Sequence, residues 1–251
     1  MRLIFVFLLL ATSLTSVHAG QLAIIIDDIG YRQTDTAVLS LPPEVTLSVL
    51  PHTPLGKKLA QQGHQKGHEI MLHLPMQALN GDTLGPGGLT NQMSESQFKQ
   101  QVAQAMDSVP YIKGVNNHMG SLLTQLPAPM SWLMEMLKSR ELYFIDSATT
   151  KFSRGEEMAE QRGVPSLRRQ LFLDNDISHK GLEKQFRQLL ELSKGPGMTV
   201  AIAHPHPTTV AFLKANLPSL SKEGINLMPA SQLLPLVLAQ KQGTNPTAAL
   251  K

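Results

Sequence analysis

Cysteine is absent from the 251 residues of this chain, which excludes disulfides, thiolate metal sites and a cysteine nucleophile. Aromatic residues make up only 5 % of it, so a long aromatic-lined sugar cleft is not evident. No block of Lys and Arg with interleaved aromatics occurs. With Arg2 set aside, 21 basic side chains face 19 acidic ones. Nucleic-acid binding therefore has no electrostatic footprint. A Gly-rich dinucleotide fingerprint is missing, and so is any internal repeat with a period of roughly 20–50 residues.

One long apolar run stands at the N-terminus. Arg2 precedes residues 3–11, which are unbroken in apolarity, and Val17-His18-Ala19 places small residues at −3 and −1 of a cleavage point. This pattern predicts a secretory signal peptide over residues 1–19. The run is shorter than the roughly 20 residues of a membrane span, so no stable anchor is expected after cleavage. Export without any cysteine implies a periplasmic protein held together by its core alone.

The remaining chain fits one domain over residues 20–240, with a flexible tail at 241–251. Strand-like segments at 22–27, 45–50, 69–74, 111–115, 142–145, 170–173, 198–203 and 225–228 alternate with helix-like ones. Ser94 followed three residues later by Gln97 predicts a capping box at the start of one helix. Strand–helix alternation implies parallel pairing through right-handed crossovers. About seven such units without a dinucleotide fingerprint favour a parallel β/α barrel.

The residues at the strand ends carry the chemistry. Asp27 and Asp28 end the first apolar run and His73 the third. Asn116-Asn117-His118 come after the fourth, Asp146 and Asp174 after the next two, and His204-Pro205-His206 after the seventh. A lone Asp or His after a strand is ordinarily a helix cap. Five or six strand ends terminating this way are hard to explain so, because in a parallel barrel these ends meet on the rim where active sites are built. An Asp with two His side chains is an open metal set whose mixed O/N character suits zinc. His68 reads as a surface loop residue, and His52, His64 and His179 as solvated.

The segments IIDDIG, GHEIMLHLPM, GVNNHMGS, YFIDSATT and IAHPH, in this order, resemble the divergent polysaccharide deacetylases. These are distant relatives of the carbohydrate esterase family four enzymes, with a deformed β/α barrel. The resemblance covers roughly residues 21–238. In the better-known enzymes the first Asp of a strand-end pair is the general base and the second a metal ligand, roles that fall on Asp27 and Asp28. A GHEIGNH-like segment brings a metal His, which falls on His73. The second His of that pattern, four residues later, is here Gln77, and His118 is expected to replace it from the next strand. The general acid falls on His204. Asn117, Asp146 and His206 are the candidates for substrate contacts. The Arg-Pro-Pro-Tyr segment of the better-known enzymes has no counterpart.

The resemblance implies an exported, zinc-dependent hydrolase that removes acetyl groups from an envelope glycan or amino-sugar oligomer. Two other readings remain open. The broken His pair suits an inactive barrel that binds or scaffolds in the envelope. A different metal-dependent barrel hydrolase, acting on a phosphoester or peptide amide, is the third. Neither the glycan nor the oligomeric state can be read from the residues.

Overall fold

The computed structural model describes residues 20–241 apart from residue 196, with side chains described as far as Leu236. The expected leader over 1–19, and all of the expected tail except Lys241, lie outside the described residues. Among the described residues nine strands, all pairing in parallel, form one sheet: β1 (Gly20–Ile29), β2 (Thr46–Val49), β3 (Ile70–Met76), β4 (Ile112–Met119), β5 (Tyr143–Asp146), β6 (Ser166–Arg168), β7 (Leu171–Phe172), β8 (Met198–Ala203) and β9 (Ile225–Leu227). The order is β6-β5-β4-β3-β2-β1-β8-β7, with β9 added to the start of β1.

The two ends of that order are neighbours in the chain. β6 pairs with β5 and β7 with β8, and only Arg169 and Gln170 separate them. One extended segment thus closes the barrel by changing partners. Counted as staves, β6 with β7 makes one, and the seven expected staves are present in a deformed barrel. β6 itself is not legible in the sequence, because a three-residue strand within Ser-Leu-Arg has no apolar alternation to announce it.

Side chains alternate across each strand with period two, so every stave serves two cores. Leu22, Ile24 and Ile26 of β1, with Leu72 and Leu74 of β3, belong to the outer core shared with the helices. These are α1 (Gly56–Gln65), α2 (Glu95–Ser108), α3 (Pro127–Ser139), α4 (Gly155–Arg162), α5 (His179–Ser193), α6 (Pro207–Asn216) and α7 (Ala230–Lys241). Ala23, Ile25, Met71, Ile145, Val200 and Ile202 fill the barrel interior. Burial on both faces explains the continuous apolar runs in the sequence. Ala230, Leu233 and Leu236 of α7 join the inner core and plug the N-terminal end of the barrel. The other end carries the polar side chains.

The capping box forms: the Ser94 amide donates to Gln97 Oε1 at 2.9 Å, and the Gln97 amide to Ser94 Oγ. The polar stretch after β1, which suggests a helix around residues 33–39, forms a 3-10 helix over Gln33–Ser40. Among the described residues no helix is long and apolar enough to cross a membrane.

Candidate metal centre and active site

The inner face of each strand continues past its apolar residues into polar ones. Ala23 and Ile25 lead to Asp27, Met71 to His73, Gly114 to Asn116 and His118, and Val200 and Ile202 to His204. The ladder runs on with them: His73 pairs in register with Asn116, and Pro75 with His118. His73, Asn116 and His118 therefore lie within strands, where the sequence suggests positions at or beyond their ends.

Adjacent residues on a strand point to opposite faces, so Asp27 and Asp28 should not share a site. They do because the β1–β2 register slips between Ile26 and Ile29, and Asp28 adopts φ 59°. Aspartate tolerates this left-handed conformation better than most residues. Such a bulge re-aims a side chain. Asp27 stays buried inside while the Asp28 carboxylate swings to the rim.

Three ligand atoms converge there. Asp28 Oδ1 lies 3.0 Å from His73 Nε2 and 2.8 Å from His118 Nδ1, and the two nitrogens are 3.1 Å apart. Tetrahedral donors at zinc–nitrogen distances of about 2.0–2.1 Å stand about 3.3 Å from one another, so the triangle is close to the spacing a zinc ion requires. Asp28 Oδ1 is buried and, despite these short approaches, accepts no well-directed hydrogen bond. A buried acceptor faced by two imidazole nitrogens fits a cation. Burial pushes the Asp28 carboxyl up, but the two imidazoles outweigh it and hold the group well below the usual carboxylate range.

The orientation of His73 is set from behind. Asn116 Nδ2 donates to Asp27 Oδ1 at 2.8 Å, and Asn116 Oδ1 accepts from Ser48 Oγ at 2.7 Å and from His73 Nδ1 at 2.8 Å. Since the amide oxygen only accepts, Nδ1 carries the hydrogen and Nε2 is turned to the triangle. Outer partners of this kind hold a ligating ring in one tautomer and orientation. Burial lowers the His73 pKa, and the charges of Asp27 and Asp28 more than reverse it, so the net direction is upward.

Across the cleft stands His204. Its Nδ1 donates to Asp174 Oδ1 at 2.9 Å, while Asp174 Oδ2 accepts from the His204 backbone amide at 2.7 Å and from Thr209 Oγ1 at 3.1 Å. Burial depresses the imidazolium, but Asp174 first, then Asp27 and Asp28, carry its pKa from 6.5 up to about 9. At neutral pH His204 is a proton donor held in place by a buried carboxylate. Asp28, Arg32, Asp35, His118, His204 and His206 line a cavity of about 280 Å³. A second cavity of about 320 Å³ adjoins it, sharing Tyr31, Leu50 and His118.

A family model described as divergent polysaccharide deacetylase matches residues 24–234. The chain belongs to that family. It is 38 % identical over 227 residues to the uncharacterized protein YibQ of Escherichia coli K12, a match covering 90 % of this chain and 70 % of that one. Its fold is similar to a crystal structure of an uncharacterized protein from Agrobacterium tumefaciens. The TM-score is 0.82 at 21 % identity, covering 87 % of this chain and 91 % of the other. A family four pseudoenzyme from Bacillus anthracis also shares the fold, with TM-score 0.53, 10 % identity and coverage of 87 % and 66 %.

In this member of the family Gln77 faces away from the triangle. Its Oε1 accepts from the Asn91 amide at 2.8 Å, and its backbone amide donates to the Leu89 carbonyl. It fastens a loop, while β4 brings His118 to the ligand triangle. Three sequence assignments are corrected. Asn117 does not offer a substrate group: its Nδ2 donates to the Met119 carbonyl and its Oδ1 accepts from the Ser147 amide. Asp146 is fully buried, with Oδ1 accepting from the Ala148 amide, so it too is turned from the cleft. His68 is buried, 2.9 Å from the Val45 carbonyl through Nδ1, and not a surface residue. His206 does line the cavity, as the first residue before α6.

The roles of Asn116 and Asp174 are assigned by the structure. Alternation alone points to Asn116, since residues 116 and 118 share a face and 117 does not. Asp174 reads in the sequence as one strand-end acid among several. Its pairing with His204 crosses from the end of β7 to the end of β8 and has no sequence spacing to reveal it.

Proposed function

We propose that this protein is an exported, zinc-dependent hydrolase that cleaves an N-acyl amide of an envelope amino sugar. The observation that carries the reading is the Asp28–His73–His118 triangle facing, across one cavity, a His204 whose Nδ1 is held by the buried Asp174. Asp28, His73 and His118 would hold the ion, which when bound lowers the pKa of a water to about 7 and polarises a carbonyl.

The chain's own residues do the proton work. Asp27, fixed through Asn116 and buried beside His73, accepts the proton of the attacking water. His204 gives its Nε2 proton to the departing nitrogen, and Asp174 holds the ring and the charge during that transfer. General acid and base groups of this kind contribute factors of about 10² to 10⁴ each. Fold likeness contributes only analogy here.

Two observations favour the second reading, an inactive barrel that binds glycan. The fold neighbour from Bacillus anthracis is a pseudoenzyme, and Gln77 breaks the His pair of the better-known enzymes. Elemental analysis and amine release from chitin oligomers and peptidoglycan separate the two. The hydrolase reading expects one ion per chain, with release that stops on chelation and returns with zinc. One ion per chain without release from either glycan supports the binding module.

A further inference from the structure

The first cavity contains an acceptor that the proton transfers above do not use. Asp35 stands in its wall and is only 1 % exposed. Oδ2 of its carboxylate accepts from the Gly30 amide at 2.9 Å and from the Arg32 amide at 3.0 Å. These two bonds shape the turn after β1. Oδ1 is buried and accepts no hydrogen bond. A turn of this kind needs one oxygen, and at an open surface the other would face water. Burial withdraws Oδ1 from bulk water, and an acceptor left in that state has a cost.

The turn holds that oxygen in place. Gly30 takes φ 137°, and a Cβ there would lie 2.1 Å from Thr53 Oγ1. The Gly30 carbonyl accepts from the Leu55 amide at 2.9 Å, and Thr53 Oγ1 donates to the Leu50 carbonyl at 2.9 Å. The turn after β1 is thus packed on the segment after β2. Asp35 is a pre-organised acceptor in a cavity wall, unlike a mobile surface acid.

The surroundings decide which donor meets it. A carboxylate accepts from a hydroxyl or from an ammonium group. An ammonium beside Asp35 would also meet Arg32 and the proton-donating His204, which line the same cavity, while Asp28 is committed to the ligand triangle. Like charges repel at these separations, and a neutral hydroxyl escapes that repulsion. His204 must stand beside the departing nitrogen, so the ring that bears the nitrogen occupies the cavity shared by His204 and Asp35. Resting on the hydrolase reading above, we propose that Asp35 Oδ1 accepts a hydrogen bond from a ring hydroxyl of the amino sugar. Asp35 thereby selects a sugar amide over an amide that lacks such a hydroxyl.

The test compares the zinc-loaded protein with its Asp35→Asn variant. The Gly30 and Arg32 amides are both donors and select the oxygen of the Asn side chain, so the turn is kept and an amide NH₂ takes the place of Oδ1. A hydroxyl can turn to accept from that group, but the bond then lacks its charge and is about half as strong. The probes are the methyl glycoside of N-acetylglucosamine and its 3-, 4- and 6-deoxy derivatives. Asp35→Asn should lower kcat/KM on the parent glycoside about tenfold and leave zinc affinity within about twofold. With the unaltered protein, one deoxy derivative should be about 10- to 100-fold poorer than the parent. That derivative should change by less than about twofold on Asp35→Asn, because two partners in one bond cannot lose it twice. Equal losses on all four glycosides, or none, assign Asp35 to the turn alone. Either result overturns the proposal and leaves the hydrolase reading intact. If the glycosides release no amine, the same comparison is made on affinities by calorimetry. A matched loss for Asp35→Asn and for one deoxy derivative then sustains the hydroxyl contact, and equal affinities or absence of binding overturn it. Release from chitin oligomers and peptidoglycan judges the hydrolase reading separately.

Discussion

β3 links two buried polar clusters of opposite character. At the N-terminal end of the barrel Glu69 Oε1 accepts from Tyr143 Oη at 2.7 Å, from the Ser231 amide at 3.1 Å and from Thr46 Oγ1 at 3.3 Å. Thr46 Oγ1 in turn accepts from the Ala230 amide at 3.0 Å, and His68 meets the Val45 carbonyl. This cluster closes on itself and ties the α7 plug to the staves. Gly114 leaves room for it, since a Cβ there would lie 2.4 Å from the Tyr143 ring. At the other end, four residues from Glu69, His73 enters a cluster that does not close. Among the described residues, the carboxylate oxygens buried without a hydrogen bond are Asp28 Oδ1 and Asp35 Oδ1, whose residues line the first cavity, and Asp146 Oδ2, which faces Arg168 instead. Burial and charge are common to both ends. Unmet carboxylate oxygens on residues that line a cavity are what distinguish the open end from the closed one, because an unsatisfied buried acceptor has a cost that a bound cation or substrate would offset.

The largest expected effect breaks the open cluster. Asp28→Ala should weaken zinc binding by about 10³-fold or more, beyond the roughly 10–100-fold of losing an outer partner. Folding stability of the metal-free protein should fall by only about 1–2 kcal/mol at neutral pH, the screened worth of the imidazoles that hold this partly exposed carboxyl low. Competition with a chelating dye and denaturant unfolding measure the two numbers. Intact zinc affinity would remove Asp28 from the ligand set.

Glu69→Leu makes the converse change at the closed end. It strands three donors, each worth about 1–3 kcal/mol when left unpaired, so a loss of about 3 kcal/mol is expected with unaltered zinc affinity. A shift in affinity with unchanged stability would reverse the roles assigned to the two ends.

Asn116→Leu sharpens the comparison, because Asn116 is a closed element serving an open one. Zinc affinity should fall about 10–100-fold as His73 loses its orienting acceptor. Asn117→Leu, on the opposite face of the same strand, should lower stability without that effect on affinity.

These contrasts also mark what can be read from the chain. The barrel is legible because staves buried on both faces leave apolar runs, as at residues 22–26 and 200–203. The convergence of Asp28, His73 and His118 is legible as polar residues at the close of those runs. Strand ends are misjudged at His73 and His118 because hydrophobicity stops where the inner face turns polar, while the backbone ladder continues. The bulge at Asp28 depends on a slip against β2, a tertiary event. The closed character of the lower cluster depends on Tyr143 and Ser231, 74 and 162 residues from Glu69, which is why His68 passes for a loop residue.

The smallest effect concerns His204, and its sign can be worked out. Its pKa is raised in the folded protein from 6.5 to about 9, so the proton-donating form prevails below about pH 9 and is lost above it. The alkaline limb of kcat should therefore lie near 9. In the metal-free protein the same shift adds stability that is fully present below about pH 6.5 and disappears as pH rises through 9. Partial exposure of the ring reduces this to about 2 kcal/mol. Asp174→Asn removes the charge that contributes most to the increase, so the alkaline limb should move toward pH 7 and the stability difference between pH 6 and pH 9.5 should shrink. A structural role alone predicts something else, because Asp174 also accepts from the His204 amide and from Thr209. Stability would then fall equally at both pH values and the limb would stay at 9. Movement of the limb, measured on the same substrate for both proteins, is the readout that only a proton-holding Asp174 changes.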